Sequence, residues 1–150
     1  MTVKHYDWSA YHANVRPNKV AIRDLSSNKE LTYFELNNRA NKLAGWMQSQ
    51  GIKKGDRVAI LSQNCAEFFE LEFACAKIGA IELPLNWRLT KPELEYILKD
   101  STPSALIYDA MFLDISIELQ KDCSISSSLQ IDSDDLHSEY EEALNDSDGS

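Results

Sequence analysis

The chain has 150 residues, 43% of them hydrophobic and 26% charged, which is typical of one globular domain with a hydrophobic core. Its net charge of −9 is opposite to the basic character of nucleic-acid-binding domains, so no nucleic-acid partner is expected. No apolar run reaches the ~20 residues of a transmembrane segment, and the N-terminal residues lack the apolar core of a signal peptide, which predicts a cytoplasmic protein.

The first part of the chain predicts a short helix followed by a β-hairpin. Residues 6–15 have an amphipathic pattern that Pro17 closes. Residues 20–24 and 29–33 are typical of short strands, and the Ser-Ser-Asn sequence between them indicates a turn.

A longer helix after the hairpin is indicated by its cap and by its periodicity. Thr32 and Glu35 have the spacing of a capping box, in which each side chain accepts a hydrogen bond from the other residue's backbone N–H. Gly51 is a natural end to this helix. Between them, apolar residues recur on one helical stripe: Leu36, Ala40, Leu43, Ala44 and Met47.

A strand, a helix and a second strand follow. Residues 58–61 are all apolar, which is typical of a strand buried on both faces of a parallel sheet. Residues 65–78 predict a helix that is apolar on nearly all sides, with Asn64 and Glu67 as its cap, and residues 80–85 predict the next strand. The short links between these elements indicate a right-handed βαβ unit.

The alternation continues towards the C-terminus. Thr90 opens a further capped helix, residues 104–108 are typical of a strand, and residues 111–121 of a helix. A short strand at 128–131 and a weak helix at 136–144 complete the pattern. The predicted fold is therefore a three-layer α/β domain, with a mostly parallel sheet flanked by helices and a small N-terminal hairpin.

The negative charge is concentrated at the C-terminal end. Residues 122–150 contain nine acidic residues and no lysine or arginine, whereas residues 1–121 contain 15 acidic and 15 basic residues. An acidic, serine-rich composition is typical of a solvated linker or a frayed end. We therefore predict an α/β subdomain over residues 1–121 and an acidic, variable segment over residues 122–150.

Familiar catalytic motifs are missing from the sequence. It has no glycine-rich phosphate loop, no G-x-S-x-G nucleophile elbow and no histidine placed with a carboxylate for acid–base work. Cys65, Cys75 and Cys123 are odd in number and show no C-x-x-C spacing, so neither a disulfide framework nor a zinc site is expected. We assign no catalytic residue and no metal ligand.

Glu72 is an acidic residue on the apolar side of the predicted helix 65–78. It lies opposite Glu67, Glu70 and Lys77, which form the expected polar face. A buried carboxylate with a perturbed pKa would be a functional candidate, but an exposed seam in the apolar surface is the simpler interpretation.

Four sequence motifs occur in a recognisable order. They are LTYFEL at 31–36, GDRVAIL at 55–61, N-x-x-E-F at 64–68 and CAKIGAIELPLNWRLTKPELEYILKDS at 75–101. This order resembles the beginning of the adenylate-forming (AMP-binding) superfamily, which includes acyl-CoA synthetases, peptide-synthetase adenylation domains and luciferases. The resemblance covers about residues 16–108 and implies the N-terminal portion of a longer enzyme.

The resemblance also implies a reaction and its cofactors. In this superfamily a carboxylic acid reacts with ATP and Mg²⁺ to give an acyl-adenylate, and a thiol, usually that of CoA, then displaces AMP. The family's phosphate loop follows an acidic stretch like residues 132–150, so this chain alone is expected to be inactive and to bind no cofactor. The remainder of the parent domain is its expected partner, and the apolar helix 65–78 suggests that the isolated chain dimerises through exposed apolar surface.

Arg88 is the residue to which the resemblance gives a ligand. The arginine of the family's N-x-R-L motif can lie near a phosphate of the CoA nucleotide, and a guanidinium offers phosphate a two-pronged set of donors. A structural ion pair or a helix-lid contact is the alternative role. Trp87 occupies a variable position and could pack on Arg88, on CoA or on the following helix.

Three functions fit these observations. The first is an acyl-CoA synthetase for a fatty or other organic acid, which Asn86 favours because peptide-synthetase domains more often carry an acidic residue there. The second is an adenylation domain that transfers to a carrier protein. The third is a non-catalytic α/β interaction module, which a T-G-T-T-G loop encoded beyond residue 150 would exclude.

Overall fold

The computed structural model describes residues 7–132, 135 and 137–147. The described strands are β1 (Val20–Arg23), β2 (Glu30–Thr32), β3 (Arg57–Leu61), β4 (Ile81–Pro84), β5 (Ala105–Asp109) and β6 (Ser127–Ile131). The described helices are α1 (Trp8–Val15), α2 (Tyr33–Ser49), α3 (Ala66–Ile78), α4 (Lys91–Ser101), α5 (Leu113–Asp122) and α6 (Glu139–Asp146), with a 3₁₀ turn at Ala110–Phe112 before α5.

The strands form two sheets, as the sequence predicts. β1 and β2 pair antiparallel as a hairpin, and the other strands form a parallel sheet in the order β4-β3-β5-β6. Alternate residues of β3 and β5 point to opposite faces, so that both faces are covered by apolar side chains. Helices α2, α3 and α6 pack on one face and α4 and α5 on the other, which confirms the three-layer α/β architecture.

Two of the predicted helix caps are present. The Glu35 carboxylate accepts from the Thr32 backbone N–H at 2.8 Å, and the Thr32 hydroxyl accepts from the Glu35 N–H at 3.2 Å. At the start of α4, the Glu93 carboxylate accepts from the Thr90 N–H at 2.8 Å. These caps form because both partners lie within one turn of chain.

The cap predicted for α3 is wrong. Cys65 occupies the N-cap position of this helix, with no side-chain hydrogen bond to the first turn. Glu67 is instead buried, with an exposed fraction of 3%, and accepts from Lys29 Nζ at 2.7 Å. The ion pair with a lysine of the hairpin takes the carboxylate away from its own helix terminus.

The polar face expected for α3 is also wrong, although the exposure favoured for Glu72 is confirmed. Glu70 is fully buried at 0% exposure and accepts from Arg39 Nε at 2.7 Å and from the Tyr140 hydroxyl at 2.8 Å. The guanidinium of Arg39 also donates to both oxygens of Glu141, at 2.8 and 2.6 Å. Glu70 is buried because α2 and α6 supply the donors that its charge requires.

Residues 127–147 are not a solvated linker where the structure describes them. β6 pairs with β5 over its whole length, and α6 packs against α2. Tyr140 and Leu144 are each 1% exposed, within the same core as β3 and β5. The linker interpretation is therefore corrected for this part of the chain, while a subdomain boundary after residue 121 remains a prediction.

Within the described residues, no helix is both long and apolar enough to cross a membrane. Several large apolar side chains are exposed, including Phe69 on α3 and Ile81 on β4. Dimerisation through such surface remains a prediction.

Candidate functional site

A cleft opens at the carboxyl ends of β3, β4 and β5. These strands are parallel and adjacent, so the connections that follow them meet at one edge of the sheet. The volume of the cleft is about 360 Å³. It is lined by residues 62–65 after β3, Trp87 and Arg88 after β4, Asp109 at the end of β5, Met111 after it, and Ser26 of the hairpin turn.

A second cleft adjoins the first between the hairpin and α3. Its volume is about 320 Å³, and it shares Ser26, Asn64 and Cys65 with the first cleft. The exposed side chains of Leu25 and Phe69 make this part of the edge more apolar. The hairpin is therefore a wall of both clefts.

Arg88 is exposed and is one of the residues that line the first cleft. Among residues 7–132, 135 and 137–147, no carboxylate lies within 4.0 Å of its guanidinium, which argues against the structural ion pair considered above. Its Cζ atom lies 4.2 Å from the ring centroid of Trp87. The structure therefore shows Trp87 packed on Arg88, one of the partners considered for it above.

The loop that carries Arg88 is folded by Asn86. The Asn86 side-chain oxygen accepts from the Arg88 N–H at 3.1 Å, and its backbone carbonyl accepts from the Leu89 N–H at 3.0 Å. These two bonds turn the chain directly after β4. As a result Leu85 lies in the core while Arg88, three residues later, is exposed.

Cys65 lines the cleft but lacks the character of a nucleophile. Burial raises the pKa of its thiol to about 12, and the neighbouring Glu67 carboxylate adds to that rise. The thiol therefore stays protonated at neutral pH, whereas a nucleophilic cysteine needs its thiolate. The sequence-based interpretation of Cys65 as a packing residue agrees with this environment.

In the part of the chain that the structure describes, no three His, Cys, Asp or Glu side chains are grouped as metal ligands. The donors at the cleft are instead one guanidinium and neutral side chains such as Gln63, Asn64 and Ser62. Asp109 also lines the cleft, and its carboxylate accepts from the Met111 N–H at 2.9 Å, so the Arg88 guanidinium is the group there that suits a phosphate.

The sequence identified part of this site. It predicted that the turns at 62–64 and 86–89 follow parallel strands, and the structure brings them together. It did not single out Asp109 and Met111, although their position after a predicted strand was a usable signal. The contribution of Ser26 had no such signal, because the hairpin reaches the sheet edge through tertiary packing.

The AMP-binding enzyme family matches this chain over residues 9–149. The chain belongs to that family. The chain is 39% identical over 109 residues to the long-chain-fatty-acid–CoA ligase FadD13 of Mycobacterium tuberculosis, covering 72% of this chain and 22% of that protein. It is 36% identical over 104 residues to the fatty acid–[acyl-carrier-protein] ligase ScoC of Streptomyces coeruleorubidus, covering 69% of this chain and 20% of that protein.

The fold agrees with the family. The inhibitor-bound N-terminal domain of FACL13 from Mycobacterium tuberculosis superimposes with a TM-score of 0.84 at 30% identity, covering 96% of this chain and 36% of that one. The chain spans about a fifth of the length of the curated relatives it matches.

Proposed function

We propose that this AMP-binding chain is part of an ATP-dependent acyl-CoA synthetase of fatty or other organic acid metabolism, acting in the cytoplasm. In the proposed reaction a carboxylic acid is activated by ATP with Mg²⁺, and the CoA thiol then takes the acyl group with release of AMP. The chain alone is inactive, and its partner is the remainder of the parent domain. The similarity to FadD13 supports the acyl-CoA branch of the family.

The observation that carries the proposal is the free cation at the ligand edge of the sheet. Arg88 is exposed at the mouth of the cleft, and no described carboxylate lies within 4.0 Å of it. A guanidinium with unused donors is suited to a phosphate of CoA, which it would hold through two parallel N–H donors. No residue of this chain is assigned to ATP, Mg²⁺ or the acyl group.

The experiment is an Arg88→Ala substitution in the complete enzyme that contains this chain. We expect the KM for CoA to rise about ten- to a hundredfold, because a charged hydrogen bond to phosphate is lost. ATP–pyrophosphate exchange driven by the carboxylic acid should stay near the wild-type rate, since that half-reaction precedes CoA binding.

A suitable control is Arg16→Ala, which removes an equally exposed arginine at the end of α1, away from the cleft. This variant should leave both half-reactions unchanged. If Arg88→Ala slows pyrophosphate exchange as much as thioester formation, Arg88 has a structural role instead of a role in CoA binding.

The alternative function is transfer of the acyl group to a carrier protein, and the similarity to ScoC is the observation that favours it. The wild-type enzyme distinguishes the two functions directly. Thioester formation with free CoA supports the first proposal, and formation only with a phosphopantetheinylated carrier protein supports the second. A non-catalytic module would form neither thioester.

A further inference from the structure

Arg88 has a long side chain that needs a partner to orient it. Arginine has many rotamers, and each side chain that becomes fixed on binding costs affinity. Within the described residues, Arg88 lacks the carboxylate that most often fixes a guanidinium. The contact that the structure does provide is the ring of Trp87, whose centroid lies 4.2 Å from Arg88 Cζ.

Trp87 is itself held in place. It is half-buried and packs against the apolar core between the sheet and helices α4 and α5. Its ring lies 6.4 Å from the ring of Phe112, at an interplanar angle of 41°. Since Phe112 belongs to the 3₁₀ turn that follows β5, the indole is braced between the connections after β4 and β5, the strands on either side of β3.

The backbone under the stack is fixed as well. Asn86 accepts from the Arg88 N–H at 3.1 Å, so the residue that bears the guanidinium cannot swing freely with its loop. A guanidinium stacked on an aromatic ring uses its flat face, while its N–H groups lie in the plane and stay available. The Trp87 ring is thus the contact that holds the cation, and no carboxylate among the described residues takes up its donors.

We propose that Trp87 is a positioning residue that holds the Arg88 guanidinium over the cleft, ready to bind a phosphate of CoA. This inference rests on the proposed function for its ligand, but the stack itself does not. Trp87 acts through Arg88 and makes no contact with CoA of its own. Its effect is to lower the loss of side-chain freedom when the phosphate is bound.

The stack is tested first by NMR on the 150-residue chain. The Arg88 side-chain protons should be shifted upfield by the indole ring current. They should return to random-coil values in Trp87→Leu and keep part of the shift in Trp87→Phe. Random-coil shifts for Arg88 in the wild type would overturn the proposal whatever the enzyme does.

The consequence for binding is tested by a double-mutant cycle in the complete enzyme. Trp87→Leu should raise the KM for CoA about two- to fivefold, the size of an exposed cation–π contact, with little change in kcat. Trp87→Phe should recover most of that loss. The Trp87→Leu/Arg88→Ala double variant should have the same KM as Arg88→Ala alone, because Trp87 has no effect without the cation.

The control is Trp8→Leu, the same substitution at an indole on α1 that does not line the cleft. It should leave the KM for CoA unchanged. Additive losses in the cycle would mean that Trp87 contacts CoA directly, and an unchanged KM with a lower melting temperature would mean that it only packs; either result overturns the proposal. A wild-type enzyme that makes no thioester with CoA rejects the proposed function, and the ring-current shift then still decides whether the stack exists.

Discussion

Arg39 is the residue on which the buried charges of the domain depend. Its guanidinium contacts Glu70 at 2.7 Å and Glu141 at 2.6 Å, and Lys29 is the other cation near these carboxylates. Burial raises the pKa of the Glu141 carboxyl, but the hydrogen bonds and charge of Arg39 outweigh that effect and bring its pKa below the ordinary 4.5. The same contacts account for the burial of Glu70.

Arg39→Met should destabilise the domain by about 3 kcal/mol, because it leaves Glu70 and Glu141 with Lys29, 3.7 Å from each, as their compensating charge. Urea unfolding at neutral pH measures the change. Since the wild-type pKa of Glu141 is depressed, its stabilising contribution is complete above pH 4.5 and is lost as the pH falls through the folded pKa. The stability difference between variant and wild type should therefore shrink on acidification.

The matched control is Arg23→Met in the hairpin. Arg23 also pairs with a glutamate at 2.7 Å, but its side chain is 64% exposed. An exposed pair is worth at most about 1 kcal/mol, so this variant should unfold close to the wild type. Equal losses of unfolding free energy in the two variants would show that burial does not determine how much an ion pair stabilises this domain.

At the scale of elements, helices α2 and α3 are both terminated by glycine. Gly51 follows α2 with φ +78°, and Gly79 ends α3 with φ +74°. Residues other than glycine are strained in this left-handed region. The two positions differ in their surroundings, because an added Cβ would meet nothing within 4 Å at Gly51 but would lie 2.9 Å from Lys54 Cγ at Gly79.

This difference separates backbone strain from crowding. Gly51→Ala should cost about 1 kcal/mol from strain alone. Gly79→Ala should cost the same or slightly more, since the flexible Lys54 side chain must also move. Thermal unfolding of the two variants measures both effects, and a Gly51→Ala protein as stable as the wild type would show that the strain is smaller than the φ value implies.

Local signals explain which elements the sequence could predict. The caps at Thr32 and Thr90 and the helix end at Gly51 depend on residues a few positions apart, and they were predicted correctly. The cap at Asn64 was not, because the true partner of Glu67 is Lys29, 38 residues earlier. The site shows the same limit: turns after strands were predictable, while the hairpin's place in the cleft depends on tertiary packing.

At the scale of the whole molecule, the acidic composition of residues 122–150 does not keep them out of the fold where the structure describes them. The acidic C-terminal stretch contributes β6 to the sheet, two side chains of α6 to the core and Glu141 to the ion pairs of Arg39. These contacts hold the segment in the fold despite its acidic composition, because a few buried apolar residues are enough to fold an otherwise polar segment onto the sheet.

Truncation tests the extent of the folded unit. A chain of residues 1–121 should lose cooperative thermal unfolding, since it exposes the core under β6 and α6 and leaves Arg39 with fewer partners. A chain of residues 1–147 should unfold like the full 150 residues. Circular dichroism and amide NMR dispersion report the outcome. Cooperative unfolding of the 1–121 chain would support the subdomain boundary predicted after residue 121.

The bond between Arg39 and Glu141 joins residues 102 positions apart. Closing so long a loop is entropically costly and slow, so the ion pair forms after the local helices and the hairpin. During synthesis on the ribosome, Glu67 and Glu70 emerge well before α6, so in that interval Arg39 has no Glu141 to contact. The ion pairs among Lys29, Arg39, Glu70 and Glu141 are therefore complete only after α6 has left the exit tunnel.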